Sequence, residues 1–488
     1  MKTIWGINAL NHDASITVMR GNEILFAGHS ERYSRIKNDS KLNLEIVTEA
    51  MAHGLPDEVV CLDRPLVKKS RQLYASQYHD LFEQSVKSHL RELGVVAPIS
   101  YVGHHEAHTA AGFYTSPFED AAVVVVDAIG EWDTISVWHA EGSNLTKIHS
   151  VKYPHSIGLL YSAFTHRVGL KPNEEEYILM GMAAYGVPIF KEHIKETLIE
   201  CMDAPNFRLR RNVHKGILGW EEQLGEEYHC DIAASIQSLT EDFMVDLARY
   251  AKKATKSKNL VLMGGCALNC VANEKIAKER IFDDLWIMPN PGDAGNSLGA
   301  ILAYTRQKAN WVSPYLGTAI NRTFNVGAAL EALETDKIIA IATGRAEFGP
   351  RALGNRSLIA DPRGNEIKDK VNDIKQRQRF RPFAPIILEH LAHDYFEMPV
   401  LNSPYMQFTA KCKFPDEFPA ICHADGSSRV QTLTRAQNPE FYALLESFYE
   451  KTGCPILLNT SLNIKGEPLV NTWQDAKRFS QKYDVKVF

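Results

Sequence analysis

The chain has no long apolar run: no stretch of 18 apolar residues occurs, and its longest hydrophobic segments are strand-sized, which excludes a helical membrane span. Cysteine is scarce, with eight scattered residues and no C-x-x-C pair among 488 positions, too thin for a disulfide scaffold and suited to a reducing compartment. Net charge is also slight. Lys and Arg number 54 against 59 Asp and Glu, a formal −5 that suggests neither a nucleic-acid-coating protein nor an acidic tail. The sequence lacks a Walker A element, any G-x-G, and signal-peptide anatomy at MKTIWGINAL, so it reads as a soluble cytoplasmic protein. What remains is ordinary globular composition, 45% hydrophobic and 23% charged, at a length that allows two or three domains of roughly 150 residues each.

An internal echo organises the first part. Thr3–Asn8 reads as an apolar strand ending in a polar residue, followed by the loop Ala9–Asp13, a strand at Ala14–Val18, a turn at Gly21–Asn22 and a strand at Glu23–Gly28. About 120 residues later the arrangement recurs: Val123–Val126 ends at Asp127, Ala128–Asp133 is the loop, Thr134–His139 the next strand and Glu141–Asn144 the turn. Strand, polar loop and β-hairpin, repeated once, is how the duplicated ribonuclease-H-like fold of sugar kinases, actin and Hsp70 begins each half. Helices are expected over Tyr74–Leu93, Leu159–Val168, Leu179–Ala184, Ile232–Ala254 and Asn296–Ala309, with strands at Ile99–Val102, Asn259–Met263 and Ile281–Met288. Residues 310–335 read as the exit from this domain.

A second unit opens with a strand at Ile338–Thr343 and is basic at its start. Between Arg345 and Arg381 lie ten Lys/Arg and five Asp/Glu, a local +5 that leaves −10 for the rest. Interleaved with Gly, Pro and Asn, the cations Arg345, Arg351, Arg356, Arg363, Lys370, Arg377, Arg379 and Arg381, with Arg429 further on, make an anion-binding surface the favoured reading. Asn459 and Ser461 follow the strand Pro455–Leu458 and offer an amide and a hydroxyl suited to a carbamoyl or carboxyl group.

His104 and His108 stand four apart in GHHEAHTAA, which puts both imidazoles on one helical face; the likeness to H-E-x-x-H is superficial, because Glu106 is one place off. Isolated, such a pair is more often a polar helix start. Asp127 at a strand end and Asp293 in PNPGDAGNS change that balance, because two His and two Asp suit iron, manganese or zinc with open positions for substrate oxygens. Gly264–Gly265 and Gly292–Gly295 each precede a helix-like segment, where backbone N–H groups can bind phosphate. Gly295-Asn296-Ser297-Leu298-Gly299 fits G-x-S-x-G, but PNPGDAG separates the strand from Ser297, so a nucleophile elbow is not expected. Cys266 and Cys270 read as packed thiols.

Taken together, NHDAS (11–15), ERYSRIKND (31–39), HHEAH (104–108), VVDAIGE (125–131), MGMAAYG (180–186), GGCALN (264–269), PGDAGNSLGA (291–300), GRAEFGPRALGNRS (344–357), RFRPFAP (379–385), HADGSSRVQT (423–432) and GCPILLNTSLNIKGEP (453–468) resemble the O-carbamoyltransferase family of the nodulation-factor, cephalosporin and tobramycin carbamoyltransferases. The resemblance implies a duplicated sugar-kinase-like domain over 1–330 and a YrdC-like α/β domain over 331–488. It further implies an ATP-dependent reaction in which the second domain makes carbamoyl-adenylate from carbamoyl phosphate and ATP (with Mg2+), and the first passes the carbamoyl group to an acceptor hydroxyl. The family's iron ligands map onto His104, His108, Asp127 and Asp293, with Mn2+ or Zn2+ the other candidates. Arg351, Arg356, Lys370, Arg381 and Arg429 become the expected phosphate-binding residues, joined by Gly264, Gly265 and Lys37. His12, in the loop expected to face Asp127, is the candidate to take the acceptor's proton.

One departure is Ile178, where many relatives carry Lys; the chain is also short for the family. Two other readings compete: a tRNA threonylcarbamoyl-transfer enzyme of the same fold, and a nucleotide-binding regulatory protein without turnover. The first is opposed by the domain order, the second by the intact histidines. The acceptor is open: a sugar, a natural-product alcohol, or a hydroxymethylated base, with −5 net charge disfavouring long duplex DNA. The basic run Arg208, Arg210, Arg211 and Lys215 keeps a phosphate-bearing acceptor in play. No membrane partner is expected.

Overall fold

A computed structural model describes residues 1–82 and 84–488. It is mixed α/β and separates into two compact units: Met1–Leu10, Thr17–Ile24 and Gly54–Trp311 form the first, and Asn11–Ile16, Leu25–His53 and Val312–Phe488 the second. Among the described residues, no helix is long and apolar enough to cross a membrane.

The echo in the sequence becomes a repeated sheet. Strands β1 (Thr3–Asn8), β2 (Ser15–Arg20), β3 (Glu23–His29), β4 (Glu58–Leu62) and β5 (Ile99–Val102) lie in the order β3-β2-β1-β4-β5. Strands β6 (Asp120–Gly130), β7 (Asp133–Glu141) and β8 (Asn144–Lys152) join Asn259–Met263 and Asp284–Ile287 in the same order, third-second-first-fourth-fifth. In each sheet the first, fourth and fifth strands run parallel. Such strands are covered on both faces, which is why VVVV (123–126) and LVLM (260–263) are continuous apolar runs, all buried. The helices Ile157–Arg167, His229–Thr255 and Asn296–Thr305 fall where expected.

Two expectations need correction. Tyr74–Leu93 is not one helix: Pro65–Tyr74 ends there, a short 3-10 turn covers His79–Phe82, and a new helix runs over Val86–Glu92. Ser76 takes a left-handed φ of 57°, which stops the first helix, and the Ser85 hydroxyl caps the next by accepting from Ser88 N. Residues 310–335 are not a bare exit either. They hold a strand, Tyr315–Ile320, paired antiparallel with Gly344–Glu347, and a helix, Val326–Asp336.

The second unit is built on a mixed sheet in the order Ile338–Ala342, Arg356–Ala360, Ile456–Ser461, Ala384–Leu388, Gln431–Leu433. The first three pairings are antiparallel and the last is parallel. Its buried faces carry Ile339, Ile341, Leu358, Ile386 and Leu457, packed against Phe441, Leu444 and Phe448 of the helix Pro439–Thr452. The strand near the C-terminus extends through Ser461, so Asn459 and Ser461 belong to it rather than to a following loop.

Candidate functional site

The helix His104–Thr115 starts directly after β5 and is buried along almost its whole length. Because residues four apart share a helical face, the His104 and His108 rings lie tilted to one another with centroids 5.0 Å apart. Asp127 projects from β6 and Asp293 from the turn before Asn296–Thr305. One donor atom from each of these four side chains lies within 4.8 Å of all the others. His104 Nε2 is 3.3 Å from Asp127 Oδ2 and 3.1 Å from Asp293 Oδ1; His108 Nε2 is 3.4 Å from both.

The surroundings fix which atoms face the centre. His104 Nδ1 is held by Asp63 Oδ1 at 2.9 Å, leaving Nε2 to point inward. Asp127 Oδ1 accepts from Ala128 N at 2.8 Å and Gly265 N at 3.3 Å, leaving Oδ2 to face the histidines. Neither nitrogen of the fully buried His108 has a hydrogen-bond partner, the mark of a group built for a ligand outside the polypeptide. Burial disfavours a charged imidazole, yet Asp293 and Asp63 hold the His104 pKa well above its ordinary value. Burial likewise opposes ionisation of Asp127, but the His104 and His108 imidazoles beside it keep its pKa well below the usual carboxylate range. Two imidazoles and two carboxylates, buttressed so that one atom of each converges, fit a divalent transition metal.

Asp63 was missed by the sequence reading. The signal was there: VVCLD (59–63) ends an apolar strand in aspartate just as VVVVD (123–127) does. Its left-handed φ of 66° turns the carboxylate back toward His104, a backbone state that Asp tolerates better than most residues.

The glycine turn plays a different part from the one expected. Gly264 N donates to Pro291 O at 2.9 Å, and Gly265 N serves Asp127, so neither N–H is open to a phosphate. Gly264 has φ of 89°, and a Cβ there would overlap the Val126 carbonyl. The turn positions Asp127 instead. Ser297 is fully buried and shares a 2.8 Å hydrogen bond with Thr17 Oγ1, so it is no nucleophile. Burial pushes the Cys266 thiol pKa up, with Asp127 adding to the effect, and Cys270 is buried. Ile178 is a core residue, 2% exposed.

A second cluster lies in the second unit. Lys375, just past the helix Asn365–Ile374, is buried and donates to Ser461 O at 2.5 Å, Ser461 Oγ at 2.9 Å and Asn463 Oδ1 at 2.6 Å. Burial, with Arg377 and Arg381 nearby, drives its pKa well below that of an ordinary lysine. Arg377 stacks over Phe383, 4.1 Å to the ring centroid, and donates to Asn372 Oδ1 at 2.7 Å. All three N–H groups of Lys375 are thus spent within the chain, so it fixes Ser461 and Asn463, and the guanidiniums of Arg377 and Arg381 are what the cluster offers an anion. Lys375 and Asn463 were not singled out from the sequence; Arg381 and Ser461 were.

The other expected residues are dispersed. Arg356 is 0% exposed and gives its guanidinium to the carbonyls of Asn471, Thr343, Asn355 and Thr318, so it braces the fold and is closed to phosphate. Asn459 is buried, donating to Gln431 Oε1 at 2.7 Å and Ala352 O at 3.2 Å. Lys370 is exposed on the helix Asn365–Ile374, Arg351 sits half-buried in the loop before Arg356, and Arg429 ends the short strand Ser427–Arg429. Lys37 is half-exposed and paired with Glu31 at 3.1 Å. His12 is 40% exposed, with Nδ1 3.0 Å from Asp13 Oδ2.

Two family models cover most of the chain: carbamoyltransferase N-terminus over residues 66–302 and carbamoyltransferase C-terminus over residues 330–488. Nodulation protein NolNO of Sinorhizobium fredii is 31% identical, over 96% of this chain and 76% of its own length. The chain belongs to the carbamoyltransferase family. It is a transferase enzyme. An uncharacterized protein of Synechocystis sp. is 33% identical over 98% of this carbamoyltransferase and 94% of its own length. Nodulation protein U of Sinorhizobium fredii is 28% identical over 94% and 93%. Among solved structures, full-length HypF in a phosphate- and nucleotide-bound form aligns at 14% identity and TM-score 0.35, over 62% of this chain and 46% of its own. The Acidaminococcus fermentans (R)-2-hydroxyglutaryl-CoA dehydratase component A aligns at 14% identity and TM-score 0.36, over 63% and 99%.

Proposed function

We propose that this carbamoyltransferase is an ATP-dependent O-carbamoyltransferase working in two half-reactions, supported above all by the four-donor cluster His104, His108, Asp127 and Asp293. Residues 1–330 are read as a sugar-kinase-like transfer domain, consistent with the two sheets of identical strand order, and residues 331–488 as a YrdC-like adenylating domain. In the second, carbamoyl phosphate is hydrolysed to carbamate and phosphate. A carbamate oxygen then attacks the α-phosphorus of ATP, expelling pyrophosphate and leaving carbamoyl-adenylate. Arg377 and Arg381 hold these anions, and the ammonium of Lys375 fixes Ser461 and Asn463, which offer polar atoms to the carbamoyl group.

In the first domain, the acceptor oxygen attacks the carbamoyl carbon, AMP departs with the bonding electrons, and the hydroxyl proton passes to a base. His12 is that base, its Nδ1–H donating to Asp13 Oδ2 so that the lone pair lies on Nε2; general-base catalysis of this kind is typically worth about 10²–10⁴-fold in rate. Fe2+, or Mn2+ or Zn2+ in its place, would be held by His104, His108, Asp127 and Asp293 and would supply Lewis-acid charge for phosphoryl and carbamoyl oxygens. Mg2+ accompanies ATP as substrate.

The test is pyrophosphate release from ATP and carbamoyl phosphate without an acceptor. Metal-replete wild type is expected to release it, and Arg381→Ala to do so about 100-fold more slowly or worse, the scale of losing a pre-placed cation at a phosphoryl site. Absence of release from the wild type would overturn the carbamoyl-adenylate route.

A further inference from the structure

Beside the metal cluster, the first unit carries an aromatic platform that the proposed chemistry does not use. Tyr74 and Trp132 stand with ring centroids 5.3 Å apart, and Tyr74 and Tyr153 meet edge-on at 6.3 Å. Tyr74 is 63% exposed, at the end of Pro65–Tyr74, and Trp132 is half-buried with its Nε1 bonded to Ser70 Oγ at 3.0 Å. Two chain segments bring the platform close to the metal ligands. Gly130, two residues before Trp132, lies so near His104 that a Cβ would overlap the imidazole. Ser156, three residues after Tyr153, donates its hydroxyl to the Asp127 carbonyl at 3.1 Å.

The platform has a cationic edge. Asn212 Nδ2 donates to the Tyr153 hydroxyl at 2.8 Å, and His214 Nδ1 lies 3.3 Å from it, so the segment 210–215 is pinned there. Arg210, Arg211 and Lys215 flank these two contacts, all exposed, and among the described residues their side chains make no hydrogen bond or ion pair. Arg208, by contrast, is paired with Glu200 at 3.2 Å. Three unpaired cations in six positions stand out in a chain of net charge −5, on a segment whose Asn212 and His214 contact the Tyr153 hydroxyl. Aromatic faces take planar or sugar rings, and Arg and Lys take phosphate.

We propose that the acceptor is a small molecule joining a ring to a phosphate, of the nucleotide or nucleotide-sugar type. Its ring rests on Tyr74 and Trp132, and its phosphate is met by Arg210, Arg211 and Lys215. This deepens, and rests on, the carbamoyl-transfer reading of the metal cluster.

The probe is UDP-glucose, titrated calorimetrically into the full-length protein with excess ADP present to fill adenine-nucleotide sites. Glucose and inorganic pyrophosphate are titrated separately. The wild type is expected to bind UDP-glucose at least tenfold more tightly than either fragment. R210A/R211A/K215A should weaken it about tenfold, as three exposed charge contacts would, and remove most of its salt dependence. Tyr74→Ala should cost about tenfold, as loss of one stacking face does. Three results would each overturn the proposal: no binding by the wild type, equal binding by the triple variant, or pyrophosphate binding as tightly as UDP-glucose. Acceptor-free pyrophosphate release, measured in parallel on the wild type, fails only if the carbamoyl-adenylate reading is wrong, so the two failures are distinct.

Discussion

Two nitrogens compete on the His104 ring, and the 2.9 Å bond from Nδ1 to Asp63 settles that competition in favour of Nε2 as the donor facing Asp127 and Asp293. Replacing Asp63 by Asn leaves the shape but removes the charge that fixes the tautomer and raises ligand basicity. Such partners of metal-bound histidines are typically worth 10–100-fold, so Asp63→Asn should weaken Fe2+, Mn2+ or Zn2+ binding by roughly 10–100-fold with an unchanged circular dichroism spectrum. An unaltered metal titration would reduce Asp63 to a packing residue. At this scale the sequence was partly legible. His104 and His108 could be paired because helix periodicity is regular, and Asp127 because it ends an apolar strand. The Lys375–Ser461–Asn463 contact had no such signature, since 86 positions separate Lys375 from Ser461 and only the sheet brings them together. Arg356 was misread because a cation count cannot tell a guanidinium facing solvent from one consumed by buried carbonyls.

At the scale of elements, the chain repeatedly uses a strand, a tight turn and a helix to deliver one functional atom. Asn259–Met263, the turn at Gly264 and Gly265, and the helix Cys270–Lys278 form one such unit, whose product is the Gly265 N–H held against Asp127. Gly264→Ala meets two penalties at once, a side chain at φ of 89° and an overlap with the Val126 carbonyl, one residue before the metal ligand. A destabilisation of about 2 kcal/mol or more is expected, together with loss of metal binding disproportionate to the change in melting temperature. A variant that melts lower but binds metal normally would mean that the turn supports the fold without aiming Asp127. Alternation and continuous apolar runs made eight of the ten strands of the two repeated sheets readable to within a few residues; Glu58–Leu62 and Asn144–Lys152 were not singled out. The break after Tyr74 was not readable, because it turns on the left-handed φ of 57° at Ser76, which the helical pattern around it does not announce.

For the whole molecule, the division of charge and of donor types argues for a division of labour. The transition-metal donors all belong to the first unit, whereas the buried lysine with its neighbouring guanidiniums belongs to the second, within the segment that carries +5 against −10 for the rest. Soft-to-borderline imidazole donors serve a transition ion, and a dense cationic surface serves phosphates; neither set needs the other's ligand. Removing the metal should therefore separate the half-reactions. With a chelator that takes Fe2+, Mn2+ and Zn2+ but spares Mg2+, pyrophosphate release from ATP and carbamoyl phosphate should persist within about twofold, while carbamoylation of any acceptor falls by at least about 100-fold, the several kcal/mol of charge stabilisation a Lewis acid provides. Mass spectrometry of the acceptor and a pyrophosphate assay on one chelated sample read both quantities together. If both halves stop together, the metal also supports adenylation and the two chemistries are not divided between the units. If only transfer stops, the charge pattern visible in the sequence marks the adenylating half, and the histidine pair marks the transferring one.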